Sequence, residues 1–222
     1  LYNAPGNISF DELNLLYRPY IEKNPKDTQR QQHFVIVLER MNKAKEAEAE
    51  LTRMQASNRA WGDHYARIGQ WAMAAESYAK AYADVDKGTG TELDDAAWRT
   101  AEAFSNAGNY LKAIEWYKRA AGKGFEMTFR LGVCYRAIGG TENFRMAISQ
   151  WTEVYTNTND KEWQGRCAWE ICATAFDKLG DRDVGIKWAR KCARDTIGSR
   201  WPGEMNQLAD KYKFDIKGGS NE

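Results

Sequence analysis

The sequence predicts an all-α fold built from stacked helical hairpins. Three observations predict it: a motif of small and aromatic residues recurs along the chain, a glycine divides each copy into two helical halves, and the 222 residues include only four prolines. Proline interrupts helices because it lacks the N–H donor and its ring clashes with the preceding turn. A recurring unit of this kind buries its apolar face only by stacking on further copies of itself.

Each copy of the motif reads small residue, aromatic, turn glycine, aromatic, alanine, aromatic, small residue. The copies are Gly62, Tyr65, Gly69, Trp71, Ala74, Tyr78, Ala81; Ala101, Phe104, Gly108, Tyr110, Ala113, Tyr117, Ala120; Gly132, Tyr135, Gly139, Phe144, Ala147, Trp151, Val154; and, more weakly, Trp169, Ala173, Phe176, Gly180, Gly185, Cys192. The third copy carries three extra residues after its turn glycine.

The spacing of the motif predicts antiparallel helix pairs. A small residue and an aromatic three positions apart share one helical face, and the glycine four positions later ends that helix in a left-handed cap. In the second helix, the aromatic rings fill the notches that small residues leave on the first. We therefore expect turns at Gly69, Gly108, Gly139 to Gly140 and Gly180.

The motif resembles the tetratricopeptide repeat (TPR). Trp61-Gly62-x-x-Tyr65 and Ala113-x-x-x-Tyr117-x-x-Ala120 match its signature over roughly residues 55 to 194. The closing proline of the family is absent, and the turn glycines are unevenly spaced around the usual ~34 residues. The resemblance implies a right-handed α-α superhelix, a TPR-like solenoid.

The resemblance also divides the chain into three parts. Residues 1–54 form an N-terminal helical cap, residues 55–200 form an array of about four hairpins, and residues 201–222 form a C-terminal capping helix and tail. Stacked arrays require such end pieces, apolar on one side and polar on the other.

Apolar periodicity predicts the helices outside the array. One runs from Ser9 to Tyr20, a second from about Asp27 to Met54, and a third over residues 203–214, whereas Asp215–Glu222 is expected to be a disordered tail. The first helix is expected to bury a stripe along one side: Leu13, Leu16, Tyr17 and Tyr20. For the polar flank 43–50 of the second helix, we weigh a solvated face against the edge of a coiled-coil dimer seam.

Composition excludes several functional classes. The formal net charge of +1 argues against a nucleic-acid binder that relies on bulk electrostatics. No apolar run approaches the ~18 residues of a membrane span. The chain begins Leu1-Tyr2-Asn3 without methionine, so it is either a mature protein that lost a leader or an excised fragment. If a leader was removed, the protein is expected to be periplasmic or secreted. If not, it is expected to be cytoplasmic.

The residues that carry catalysis or hold metals are sparse. Of the two histidines, His64 falls on a core position, where a structural histidine is expected. Cys134, Cys172 and Cys192 also fall on core positions, Cys167 is expected to be exposed, and no Cys-x-x-Cys occurs. We therefore expect no enzyme activity, no cofactor and no metal.

The resemblance implies a peptide-binding groove, because the first helix of each TPR hairpin lines a concave surface. The corresponding positions are Arg59, Asp63, Arg67, Trp98, Arg99, Glu102, Phe129, Arg130, Val133 and Arg136. Arginine binds carboxylates bidentately and exposed aromatics anchor peptides, so the expected partner is a protein or peptide segment rich in acidic and aromatic residues. The alternative is that these arginines pair with acids of the same face: Asp63, Asp95, Glu102 and Glu126.

Two further alternatives concern the partner. Chaperone-binding TPRs use a clamp for terminal carboxylates, whose positions here hold Arg59, Asp63, Arg99, Glu126 and Arg130. The two acids would repel a carboxylate, which argues against that subtype. The alternative to a peptide-binding adaptor is a structural or assembly subunit that makes lateral contacts, including self-association. The residues expected to make these contacts are tryptophans that have no role in the repeat: Trp98, Trp163 and Trp201.

Overall fold

The computed structural model describes residues 9–85 and 90–217, and within these residues every regular element is a helix. The predicted all-α fold of stacked helical hairpins is confirmed. The chain divides into two compact units, 1–107 and 108–222.

Helices of the first unit pack on their neighbours in sequence order. They are α1 (Phe10–Lys23), α2 (Thr28–Arg40), α3 (Ala44–Arg53), α4 (Asn58–Arg67), α5 (Trp71–Asp84) and α6 (Gly90–Asn106). A buried apolar cluster joins α1, α2 and α3, and Trp61 of α4 packs against it. At the start of α1, Ser9 and Glu12 cap each other's backbone N–H groups, which fixes where the helix begins.

Within the second unit, helices also pack on their neighbours in sequence order. Its α-helices are α7 (Tyr110–Arg119), α8 (Phe125–Ile138), α9 (Thr141–Asn157), α10 (Lys161–Thr174), α11 (Arg182–Asp195) and α12 (Trp201–Tyr212), with a 3₁₀ turn at Ala121–Lys123 and a π-helical turn at Ala175–Leu179. A single buried cluster runs through α8 to α12, and its largest fully buried side chain is Trp151.

The predicted turn glycines lie where expected. Their φ angles are 77° at Gly69, 78° at Gly108, 81° at Gly139, 85° at Gly140 and 66° at Gly180. In this left-handed region a side chain is strained, so glycine ends these helices at the lowest cost.

The predicted packing of rings into notches is also found. A Cβ atom added to Gly62 would lie 2.5 Å from the ring of Tyr78, and one added to Gly132 would lie 2.5 Å from the ring of Trp151. Each glycine therefore lets the ring of the second helix approach the backbone of the first.

The expected continuous helix over Asp27–Met54 is wrong. The chain breaks after Arg40, where Asn42 has a φ of 59°, and α3 starts only at Ala44. The break folds α3 back against α2, so their apolar residues meet each other in the core. This intramolecular burial also removes the coiled-coil alternative.

Both ends of the chain differ from expectation. Leu16, expected on the buried stripe of α1, is 63% exposed. The last helix begins at Trp201 rather than at Gly203. The expected disorder is wrong for residues 215–217, because Arg190 donates two hydrogen bonds to the Asp215 carbonyl, at 3.1 and 2.7 Å. The remainder of the predicted tail lies outside the described residues.

Candidate functional site

The expected groove residues divide between the two units. Those of the first unit lie on α4 and α6: Arg59, Asp63, Arg67, Trp98, Arg99 and Glu102. Those of the second unit lie on α8: Phe129, Arg130, Val133 and Arg136.

In the first unit, Asp63 is the centre of a polar cluster between α4, α5 and α6. The Tyr78 hydroxyl donates a hydrogen bond to Asp63 Oδ1 at 2.7 Å, and Arg99 Nη1 lies 3.4 Å from the same oxygen. Burial, together with the hydrogen bond to Asp63, raises the pKa of Tyr78 well above its ordinary value of 10.0. Tyr78 therefore remains a donor at neutral pH and holds the carboxylate in place.

Beside this cluster lies a cavity of about 190 Å³, formed entirely within the first unit. Its lining combines two arginines, one carboxylate, a tyrosine and three aliphatic side chains: Arg59, Arg99, Glu92, Tyr78, Ala81, Val85 and Ala96. Arg59 is exposed and Arg99 is partly exposed. The cavity therefore combines cationic groups with aliphatic side chains in one lining.

Arg67 does not serve this cavity. Its guanidinium binds the carboxylate of Glu39 on α2 through Nε at 2.5 Å and Nη2 at 2.9 Å. Arg67 is therefore paired, but with an acid of α2 rather than with one of the expected acids of the groove face, whereas Arg99 does pair with the expected Asp63. Glu39 and Arg67 are 28 positions apart and no motif links them, so this pair could not be predicted from the sequence.

His64 lies fully buried, as expected for a core histidine. Its Nδ1 lies 2.7 Å from Glu39 Oε1, so Glu39 binds both His64 and Arg67. The other ring nitrogen, Nε2, has no hydrogen-bond partner and lies 3.9 Å from Glu48 of α3. This polar cluster links α2, α3 and α4, and its burial indicates a structural role.

The Glu39 pair makes the stability of the first unit dependent on pH. Burial raises the pKa of Glu39, but the hydrogen bonds from His64 and Arg67 outweigh it and lower the pKa below its ordinary 4.5. A carboxyl whose pKa is lowered by folding stabilises the fold at pH values above its pKa in the unfolded chain. This stabilisation is lost as the pH falls through its pKa in the folded protein. We expect the free energy of unfolding of the wild type, measured with urea, to decrease progressively below about pH 4.5.

The matched variant is Glu39→Gln, which cannot titrate. We expect it to lower the free energy of unfolding at neutral pH by about 1–3 kcal/mol and to flatten the acid dependence. Glu153→Gln, which changes an exposed carboxyl on α9, should change neither the free energy of unfolding at neutral pH nor its dependence on acid pH. An acid dependence that is identical in wild type and Glu39→Gln would contradict this role.

In the second unit, the expected groove is largely packed into the core. Phe129 is 6% exposed and its ring contacts those of Trp151 and Trp163, at centroid distances of 6.2 and 5.5 Å. The expectation that Phe129 offers an open ring to a peptide is therefore wrong. Val133 also packs against the core, and Arg136 pairs with Glu170 of α10. Arg130 is partly buried.

The tryptophans expected at the surface have different environments. Trp98 and Trp163 are partly exposed, and Arg166 lies over the Trp163 ring at 5.0 Å. Trp201 is buried against α10, and its Nε1 donates a hydrogen bond to Glu162 at 3.1 Å. The expected exposure of Trp201 is wrong because Gly165 leaves room for its ring.

Cys167 is buried as well, which corrects the expectation of an exposed thiol. Burial raises its pKa to about 12, so the thiolate is not populated at neutral pH. The expected burial of Cys134, Cys172 and Cys192 is confirmed. Over residues 9–85 and 90–217, no cluster of His, Cys, Asp and Glu side chains is arranged to hold a metal ion. In that same part of the chain no helix is long and apolar enough to cross a membrane.

Comparison with known proteins adds evidence on the fold. No protein-family model matches the chain, and no curated protein matches it. Among solved structures, the chain is similar to BtubC (BKLC) from P. vanneervenii, with 13% sequence identity and a TM-score of 0.52. The alignment covers 88% of this chain and 89% of that protein. At this identity the likeness shows the all-α fold alone.

Proposed function

We propose that the chain is a TPR-like adaptor that binds an acidic segment of a partner protein in the groove between α4, α5 and α6. The observation that carries this proposal is the cavity beside Asp63, which Arg59 and Arg99 line together with three aliphatic side chains. The function is binding rather than catalysis, and it requires no cofactor.

The size of the cavity favours a peptide side chain as its occupant. Pockets for drug-sized ligands usually measure about 300–1,000 Å³, whereas this one measures about 190 Å³. A glutamate or aspartate of the partner would place its carboxylate between the two guanidinium groups and its methylene groups against Val85 and Ala96. Charge-assisted hydrogen bonds of this type contribute about 1.5–3 kcal/mol.

Asp63 and Glu92 set the selectivity of the proposed site. They repel a second carboxylate close to the first, which argues against a ligand with two adjacent acids. The proposed ligand therefore places a single acidic residue in this cavity.

The test is a peptide array that varies acidic and aromatic residues. We expect Arg59→Ala/Arg99→Ala to weaken binding of the best peptide by at least about tenfold and higher ionic strength to weaken wild-type binding. Arg145→Ala removes an arginine whose side chain is 69% exposed on α9, and it should bind like the wild type. Unchanged affinity of a folded double arginine variant would refute the groove.

The alternative of an assembly subunit is favoured by one observation, the partly exposed Trp163 with Arg166 over its ring. Under this alternative, partner capture survives the arginine changes and fails in Trp163→Ala. Trp201 no longer discriminates between the two functions, because its replacement would disturb the core.

A further inference from the structure

The outer face of α1 exposes two leucines that the core of the first unit does not use. Leu15 is 74% exposed and Leu16 is 63% exposed, whereas Leu13 and Ile21 on the opposite side are buried. Leu15 lies in a shallow depression of about 440 Å³ together with Asp11, Asn14, Arg18, Pro19 and Glu22. Neighbouring exposed apolar residues with a charged rim are typical of an interaction surface.

The backbone of α1 adds to this surface. Pro19 lies inside the helix and has no N–H to donate to the carbonyl of Leu15. A proline in a helix interior is unfavourable, and here its ring forms part of the exposed surface. The capped start at Ser9 keeps the helix formed in spite of this proline.

The face carries opposite charges at its two ends, so it is complementary to a second copy of itself in the reverse direction. Asp11 and Arg18 lie on the same stripe on either side of Leu15, two helical turns apart. Arg18 Nε donates to Asn14 at 3.3 Å, which aligns the guanidinium along the stripe. Among residues 9–85 and 90–217, neither Asp11 nor Arg18 forms an ion pair.

From this pattern we infer that α1 binds α1 of a second copy of this chain in an antiparallel pair. A two-fold axis near Leu15 brings the two Leu15 side chains together and sets Asp11 of each copy against Arg18 of the other. In a symmetric dimer the same patch serves both copies, so each ion pair forms twice. This inference does not depend on the proposed peptide groove.

The dimer is weak because the contact is small. The 14 residues of α1 span about 21 Å, and a helix pair of that length buries less than the ~1,200 Å² of a stable interface. The dimer therefore forms at high protein concentration and dissociates on dilution. Salt weakens it, because the charged rim is exposed to solvent.

Sedimentation equilibrium at low ionic strength over a wide concentration range tests the inference. We expect a monomer–dimer equilibrium in the wild type. Arg18→Asp places four carboxylates around the axis and should raise the dissociation constant by at least about tenfold. The double reversal Asp11→Arg/Arg18→Asp restores opposite charges across the axis and should recover most of the affinity.

The apolar part of the contact has its own matched control. Leu15→Ser should weaken the dimer, whereas Leu111→Ser, which changes a leucine of α7 that is 67% exposed, should not. Circular dichroism confirms that each variant remains helical. A wild type that is monomeric at every concentration overturns the inference. A dimer insensitive to Arg18→Asp and Leu15→Ser, or a double reversal that restores nothing, also overturns it.

Discussion

Replacing Trp151 with alanine is expected to lower the free energy of unfolding by about 3–5 kcal/mol. Trp151 is fully buried between α8 and α10 in the core of the second unit. Its Nε1 donates a hydrogen bond to the Phe129 carbonyl at 3.1 Å, and its ring fills the notch at Gly132. The truncation removes the ring, leaves a cavity and leaves that carbonyl without its donor.

Urea unfolding followed by circular dichroism measures this loss. Leu111→Ala provides the control, since it truncates an apolar side chain that is 67% exposed in the same unit and should change stability by less than about 0.5 kcal/mol. A loss of under about 1 kcal/mol in Trp151→Ala would show that the ring is not held in the core as described.

The second large effect comes from a single added methyl group. A Cβ atom at Gly165 would lie 2.0 Å from the ring of Trp201. Because both residues are buried where α10 meets α12, the ring can move only by displacing its neighbours. We expect Gly165→Ala to destabilise the chain by about 1–3 kcal/mol.

The same substitution at Gly203 should have the opposite sign. Gly203 lies inside α12, and a Cβ atom there meets nothing within 4 Å. Alanine has a higher helix propensity than glycine, so Gly203→Ala should stabilise by about 0.5–1 kcal/mol. Thermal unfolding of both variants measures the difference. Equal effects of the two substitutions would contradict the close approach of Trp201 to α10.

Less of the candidate site than of the fold could be predicted from the sequence. The repeat placed Arg59, Asp63 and Arg99 on helices α4 and α6, and the structure brings Asp63 and Arg99 together. It did not reveal that Tyr78, a packing ring of the motif, also donates to Asp63. It also placed Phe129 on the groove face, although its ring packs against Trp163 on α10. Such contacts depend on side-chain direction and on neighbouring helices, which one helix's periodicity does not specify.

The sequence by itself determined the all-α fold and its turns, because both follow from local physics. Gly69 and Gly180 supply the positive φ at which these helices end, and small residues such as Gly62 and Gly132 admit a ring only at fixed spacing. The tertiary structure alone decided the break at Asn42, the burial of Trp201 and the pairing of Arg67 with Glu39. The burial of Trp201 and the pairing of Arg67 join residues distant in the chain, and the break at Asn42 lets the apolar residues of α2 and α3 meet in the core. The balance of burial and charge across helices, rather than local propensity, determines them.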